Sequence, residues 1–316
     1  MIRTVLGDIE QTALGATDYH EHLFQVSPLL PGDELDDEQR SCAEAVLLRD
    51  SGFAAMVDAT PFGLGRDPAA VSRISAETGL HVIAATGRHR EAHYAPGHPT
   101  READAESLAA LFIADVVDGM PASDAAPSAA RAVGPAGGPV RAGILKGGTD
   151  YWRISDFEHT TLIAIAAAHR ETGAAVMVHL EFCTAAHEVL DLLGAEGVAA
   201  DRVVLAHADR DPDPGLHVSL AERGAHLGYD GFARPRTRSD AELLALTAAV
   251  VDRGAGDRIV LGGDVARRSR YIAYGGMPGL AYLGDRYLPR LREAVGDEAV
   301  ERMLTTNPAR LLNLSA

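Results

Sequence analysis

Eight short runs of β-branched and aliphatic residues recur along the chain: Thr17–Tyr19, Ala54–Ala59, Val82–Thr86, Val140–Leu145, Ala175–Val178, Arg202–Ala206, Ala225–Tyr229 and Arg258–Leu261. Most are apolar almost without interruption, the pattern expected of parallel strands covered on both faces. The stretches between them carry helix punctuation. Asp67-Pro68 opens one that closes at Gly79, with Pro in the first turn and Gly past the last. Ser239-Asp-Ala-Glu242 is a capping box, and its helix is expected to end at Gly254. Asn307-Pro308 is expected to open the last helix. Strand and helix alternating eight times predict an α/β architecture, a single (β/α)8 TIM barrel over residues 1–316. Segment 118–139 (DGMPASDAAPSAARAVGPAGGP) breaks the rhythm: Pro, Ala and Gly recur without a period, and it reads as a flexible surface loop inserted ahead of the fourth strand.

Composition narrows the function classes. Hydrophobic content of 47% with 23% charged residues suits a soluble globular chain. With 29 Lys and Arg against 45 Asp and Glu, the net charge of −16 argues against nucleic acid or an anionic membrane as partner. It leaves room for a small anionic molecule held by a local cluster of arginines. Cys42 and Cys183 are the only cysteines, so no disulfide framework is implied and a reducing compartment is expected. The N-terminus has no basic-then-apolar leader and no run is long enough to span a bilayer, which makes the cytoplasm the expected location.

The candidate chemistry sits at the ends of the apolar runs. His20 and His22 follow the first run, and residues i and i+2 of a strand point to the same side, so the two imidazoles can share one ion. Lys146, His179, His207 and Asp264 end or follow the fourth, fifth, sixth and eighth runs. In a barrel of this kind the C-terminal strand ends converge on one face, where active sites lie. Four imidazoles and a carboxylate suit zinc first, with manganese, cobalt or iron as the other ions that such donors accept. They are too many for one catalytic zinc that keeps a position open for water, so two divalent ions fit better. Ions roughly 3.5–4 Å apart can activate a shared water and polarise the bond it attacks. Lys146 is the odd member, because an ammonium group has no lone pair for a metal. An amine that has captured CO2 becomes a carbamate, whose two oxygens can bridge two ions.

The motifs Asp18-Tyr-His-Glu-His22, Gly143-Ile-Leu-Lys146, Val178-His179, Ala206-His207-Ala-Asp209, Leu261-Gly-Gly-Asp264, Ala266-Arg-Arg-Ser-Arg-Tyr271 and Asn307-Pro-Ala-Arg310 occur in this order. The set resembles the phosphotriesterase family of the amidohydrolase superfamily, along essentially the whole chain. The resemblance implies a carboxylated Lys146 bridging two ions. His20, His22 and Asp264 would hold the more buried ion, and His179 and His207 the more exposed one. A bridging hydroxide would be the nucleophile, with Asp264 passing its proton to the leaving group.

Families of this type act on phosphotriesters, lactones, carboxylic esters and N-acyl groups, so the metal centre does not choose among them; the strand-end loops do. Arg234, Arg236 and Arg238 follow the seventh run, and Arg267, Arg268 and Tyr271 follow the eighth. In an acidic protein this local positive charge points to an anionic substrate, since arginine forks suit phosphate or carboxylate. The pattern is similar to that of phosphorylated sugar-lactone hydrolases in the family, which maps the phosphate grip onto Arg236, Arg268 and Tyr271. After the third run, Arg88 and His89 stand where acyl-homoserine lactone hydrolases of the family usually carry tyrosines, which favours a small polar substrate. The expected activity is hydrolysis of a lactone or carboxylic ester of a small anionic molecule. Phosphotriester hydrolysis and N-acyl or amide cleavage are the alternatives. A non-catalytic metal-binding barrel is the reading from another class, disfavoured by a complete ligand set. By analogy with the family, a homodimer is expected.

Overall fold

The protein is described by a computed structural model covering residues 1–125 and 130–314. A small antiparallel pair, β1 (Ile2–Thr4) and β2 (Gly7–Ile9), precedes the barrel. Eight parallel strands then follow in chain order: β3 (Thr17–Glu21), β4 (Ala55–Asp58), β5 (His81–Gly87), β6 (Ala142–Thr149), β7 (Ala175–Leu180), β8 (Val203–Ala206), β9 (His226–Tyr229) and β10 (Ile259–Leu261). They lie close to the predicted runs. Around them run α1 (Glu38–Asp50), α2 (Pro68–Thr78), α3 (Ala105–Val117), α4 (Asp156–Thr172), α5 (Ala186–Ala195), α6 (Pro214–Glu222) and α7 (Asp240–Asp252), then α8 (Leu288–Val295), α9 (Asp297–Leu304) and α10 (Thr306–Leu312). The molecule is a (β/α)8 barrel, as the alternation of runs predicts.

Side chains alternate across the barrel wall, as a pleat of period two requires. Ala55, Val57, Ile83, Ala85, Ile144, Ala175, Met177, Val204, Ala206 and Val260 form one buried cluster inside the barrel. Met56, Val82, Ala84, Leu145, Val176, Val178, Val203, Leu205, Ile259 and Leu261 belong to the second, which packs under the helices. Ile2, Leu14, Leu311 and Leu312 join the inner cluster, so the chain's two ends close the bottom of the barrel.

Seven neighbouring pairs of barrel strands share a ladder, while β3 and β10 share none among the described residues. That seam is closed past the ladder region. Asp264 N donates to His20 O (2.8 Å), and Val265 N donates to the Glu21 carboxylate (2.9 Å).

The helix punctuation works as read. Asp67 caps α2 through Ala70 N, Pro68 opens it, and Gly79 ends it at φ 77°. Ser239 and Glu242 form the capping box of α7. That helix stops at Asp252, and Gly254 follows at φ 85°. Asn307 lies inside the first turn of α10 rather than before it, and its amide donates to Gly256 O and Ile259 O. Of segment 118–139, residues 126–129 fall outside the described residues. Its flanks are hydrogen-bonded, with Met120 N donating to Val140 O and Ala132 N to Met120 O. The Asp124 carboxylate accepts from Gly63 N (2.7 Å) and from Arg66 Nε (3.0 Å). None of the helices among the described residues is long and apolar enough to cross a membrane.

His226 opens β9 fully buried, and neither ring nitrogen has a partner. Burial, with Arg258 nearby, pushes its pKa from 6.5 down to about 3. The unfolded chain therefore takes up this proton between about pH 6.5 and pH 3 while the folded one does not. Stability is full above that window and falls with pH inside it, by about 1.4 kcal/mol per pH unit for one such group. His226→Leu is expected to flatten the decline by about that slope. Urea unfolding of wild type and variant at pH 7 and pH 5 measures it, and parallel declines would remove His226 as a source of acid sensitivity.

Candidate metal centre

The six residues singled out as ligands converge on the C-terminal mouth of the barrel, and all are buried. The alternation explains most of them. Lys146 shares the inward parity of Ile144, His179 that of Ala175 and Met177, and Asp264 that of Val260. The register of β3 shifts between Asp18 and Glu21, which lets Tyr19 and His20 both serve the barrel interior. His207 would point outward by parity, but its φ of 63° turns it in. Asp264 also sits in the left-handed region, at φ 43°. Left-handed backbone at non-glycine residues costs of order 1–3 kcal/mol and concentrates where function requires it.

His20, His22 and Asp264 form the first donor group. Asp264 Oδ1 lies 3.8 Å from His20 Nε2 and 3.7 Å from His22 Nε2, close enough for the three to hold one metal ion. His179 and His207 form the second, with Nδ1 of the former 2.8 Å from Nε2 of the latter. Lys146 Nζ lies 3.2 Å from His20 Nε2 and 3.0 Å from Met177 Sδ, and no carboxylate among the described residues pairs with it. Burial brings its pKa down to about 8, so a neutral amine is accessible at ordinary pH. It is the only lysine among the 29 basic residues of the chain. A guanidinium cannot take up CO2 in this way, so an amine at this one position fits a carbamate bridge. Burial also lowers the pKa of all four histidines, that of His207 to about 3. Neutral imidazole is the form that binds metal. The donor set therefore fits two divalent ions.

Each imidazole is oriented from behind, as metal-ligating histidines usually are. The Asp230 carboxylate accepts from His20 Nδ1 (3.1 Å) and from His207 Nδ1 (2.6 Å), and also from the Tyr19 hydroxyl. Burial opposes its charge, yet His207 and His20 hold Asp230 well below the usual carboxylate range. His22 Nδ1 donates to the Thr60 hydroxyl (2.7 Å), which donates on to Phe24 O. His179 Nε2 faces Glu181 Oε2 at 3.0 Å. Sequence reading missed Asp230. The signal in the sequence was its place directly after the seventh run, Ala225–Tyr229, and in the structure Gly228 faces the Tyr19 hydroxyl inside the barrel, so residue 230 shares the inward parity.

The pocket over this centre is a cavity of about 330 Å³, whose walls include His89, His93, Glu181, Arg90, Arg210, Arg234 and Arg267. Arg234 and Arg210 reach Asp264 Oδ2 at 2.9 and 3.3 Å. Burial works against ionisation of Asp264, but Arg234 and the facing histidines hold its carboxyl below the ordinary range.

Several expected substrate contacts lie elsewhere. Arg88 is fully buried under the helices, donating to the Thr161 hydroxyl and to the carbonyls of Thr100 and Phe157. Its guanidinium stacks 3.5 Å from the Phe157 ring. It has the outward parity of Val82 and Ala84, while His89, one residue on, lines the pocket. Tyr271 is also fully buried and donates to His22 O, so its hydroxyl braces the backbone of His22 and does not face the pocket. Arg236 is exposed away from the pocket. Arg268 turns to the surface, 5.3 Å from the Tyr274 ring and 3.8 Å from Asp36. Arg267 does line the pocket, and from the first arginine cluster Arg234 enters in place of Arg236.

The sequence profile of the phosphotriesterase family matches residues 1–312. A phospho-furanose lactonase of Mycoplasmopsis synoviae is 30% identical, with 98% of this chain and 91% of the relative covered. An N-acetyltaurine hydrolase of Tetraodon nigroviridis is 27% identical, covering 98% of this chain and 97% of the relative. The crystal structure of a lactonase from Listeria monocytogenes superposes with a TM-score of 0.89 at 29% identity, covering 100% of this chain and 99% of that one.

Proposed function

Given that the chain belongs to the phosphotriesterase family and is a metal-dependent hydrolase, we propose that it opens the lactone or carboxylic ester of a small anionic substrate at a two-ion centre. The observation that carries this reading is the convergence of the six donors under a pocket walled by four arginines. His20, His22 and Asp264 would hold one ion, His179 and His207 the other, and a carbamate on Lys146 would bridge them. Bound there, the ions supply a Lewis acid for the carbonyl and a water of lowered pKa.

The chain's own residues do the rest. Asp264 is ionised and stands at the mouth, where it can accept the proton released from the attacking water and return it to the leaving oxygen. Asp230, Thr60 and Glu181 take the ring N–H on the far side, which leaves the lone pair on the ligating nitrogen and fixes each ring's direction. Arg267 is half exposed and its ion pair with Asp33 is long, 3.8 Å against 2.8–3.3 Å for those of Arg90, Arg210 and Arg234, so it is the pocket arginine freest to take the substrate's anionic group. Arg234 and His89 flank it across the pocket. The relatives' names support an anionic head, since a phospho-furanose lactone carries a phosphate and N-acetyltaurine a sulfonate. The second name also supports N-acyl cleavage as the alternative reaction on the same centre.

The test is metal content per chain together with a screen of phosphorylated and plain sugar lactones, aryl esters, N-acyl amino sulfonates and phosphotriesters. Close to two ions per chain, and lactone turnover that chelator abolishes, is the expected outcome. Because Lys146 is the single lysine, 13C-bicarbonate should give a single carbamate resonance on a lysine side chain. Activity confined to N-acyl substrates would replace the reaction. Well-folded protein that takes up no second ion with bicarbonate present would overturn the two-ion centre.

A further inference from the structure

Glu181 follows His179 by two residues on the loop after β7, and its carboxylate lies between three donors. Oε2 is 3.0 Å from His179 Nε2 and 3.1 Å from Arg90 Nη2, while Oε1 is 3.8 Å from Arg210 Nη1. The other arms of both arginines are also engaged. Arg90 Nη1 pairs with Asp150 at 2.8 Å, and Arg210 Nη2 reaches Asp264 Oδ2 at 3.3 Å. With Nε2–H donated to Glu181, the lone pair of His179 is on Nδ1, which faces His207 Nε2.

The backbone that carries Glu181 is over-determined. Phe182, Cys183 and Ala185 have φ of 55°, 56° and 56°, three non-glycine residues in the left-handed region within four positions. The Thr184 hydroxyl donates to Glu181 O (2.7 Å) and accepts from Trp152 N (3.0 Å). Such conformations persist only where surrounding contacts impose them. Here they aim one carboxylate at one imidazole.

We propose that Glu181 is a positioning residue for the second ion: clamped by Arg90 and Arg210, it fixes the tautomer and direction of His179. This rests on the two-ion reading above. The two imidazoles facing that ion then have unlike supports. His207 leans on Asp230, which is fully buried, whereas His179 leans on Glu181, whose side chain is 17% exposed in the pocket wall. Arg210 reaches Asp264 with its other arm, so the contact from Glu181 to the first donor group runs only through a guanidinium. Among the described residues, the ion pairs of Glu181 are with His179, Arg90 and Arg210 and with none of the ligands proposed for the first ion, so its loss should weigh on the second site.

The experiment is a Zn2+ titration of metal-free protein in bicarbonate buffer against a chromophoric chelator, for wild type, Glu181→Gln and Glu181→Asp. Removing a carboxylate behind a ligating histidine typically weakens metal affinity about 10- to 100-fold. The Gln variant is expected to weaken the second binding step by that factor and leave the first unchanged. The Asp variant keeps the charge one methylene back and should lose less. Melting of the metal-free proteins should be similar, which separates positioning from a general structural loss. Wild-type affinity for both ions in the two variants, or equal weakening of both steps, overturns the proposal. A wild type that binds a single ion overturns the two-ion reading instead, and if Gln fails to fold, Asp alone carries the same comparison.

Discussion

Asp264→Asn is expected to lower kcat by about 10²–10⁴-fold, the range that general acid–base catalysis usually contributes. The amide has the shape of the carboxylate and keeps one oxygen toward His20 and His22. It cannot accept the proton that the reaction must move. The environment shows that charge at this position is sustained: Arg234 at 2.9 Å and Arg210 at 3.3 Å offset the cost of burying it. Circular dichroism should remain near wild type, because the backbone bond from Asp264 N to His20 O does not involve the side chain; Asp264 is also a proposed ligand, so turnover is compared at saturating metal. Turnover equal to wild type, in protein carrying its full metal complement, would take Asp264 out of the mechanism.

The second large effect is expected at Asp230. Its two oxygens serve His20 and His207, one imidazole in each of the two proposed donor sets. Asp230→Asn leaves a single acceptor for two ring N–H groups and turns an amide donor toward the other. Affinity for both ions should fall about 10- to 100-fold, since partners behind a ligating histidine are worth that much. Metal titration in competition with a chelator reads both steps. Loss at only one step would mean that the shared carboxylate is not shared in the loaded enzyme. The pattern differs from that of Glu181, where one step alone should respond.

The barrel was legible because parallel strands buried on both faces leave continuous apolar runs, and those runs mark where each strand ends. The candidate ligands were legible for the same reason: Lys146, His179, His207 and Asp264 interrupt or follow such runs with groups that burial would otherwise penalise. What failed was direction within loops. Arg88 and Tyr271 lie beside the site in sequence, yet their side chains run behind the wall and satisfy buried carbonyls. Charge in a loop reports that an arginine is near a pocket, not which arginine of a cluster turns inward, and here Arg234 lines the pocket while Arg236 does not. For Arg88 the alternation along β5 held the answer. For Tyr271 nothing local did, because its partner, His22 O, is 249 residues away. Asp230 was overlooked because it has no companion at i+2 and follows a short strand with a glycine in it.

The seam between β3 and β10 has a mechanical consequence. It is the one place where the wall lacks a ladder, and His20 and His22 stand on one side of it with Asp264 on the other. An ion held by all three, as proposed, would act as a clasp on a hoop. Taking it out leaves a backbone bond and the Glu21 carboxylate to keep the first and last strands together. Amide hydrogens of residues 262–265 should then exchange with solvent sooner in chelated protein than in loaded protein, while those of β6 and β7, laced on both edges, keep their protection. Equal exchange in the two forms would show that the hoop stays shut without its clasp.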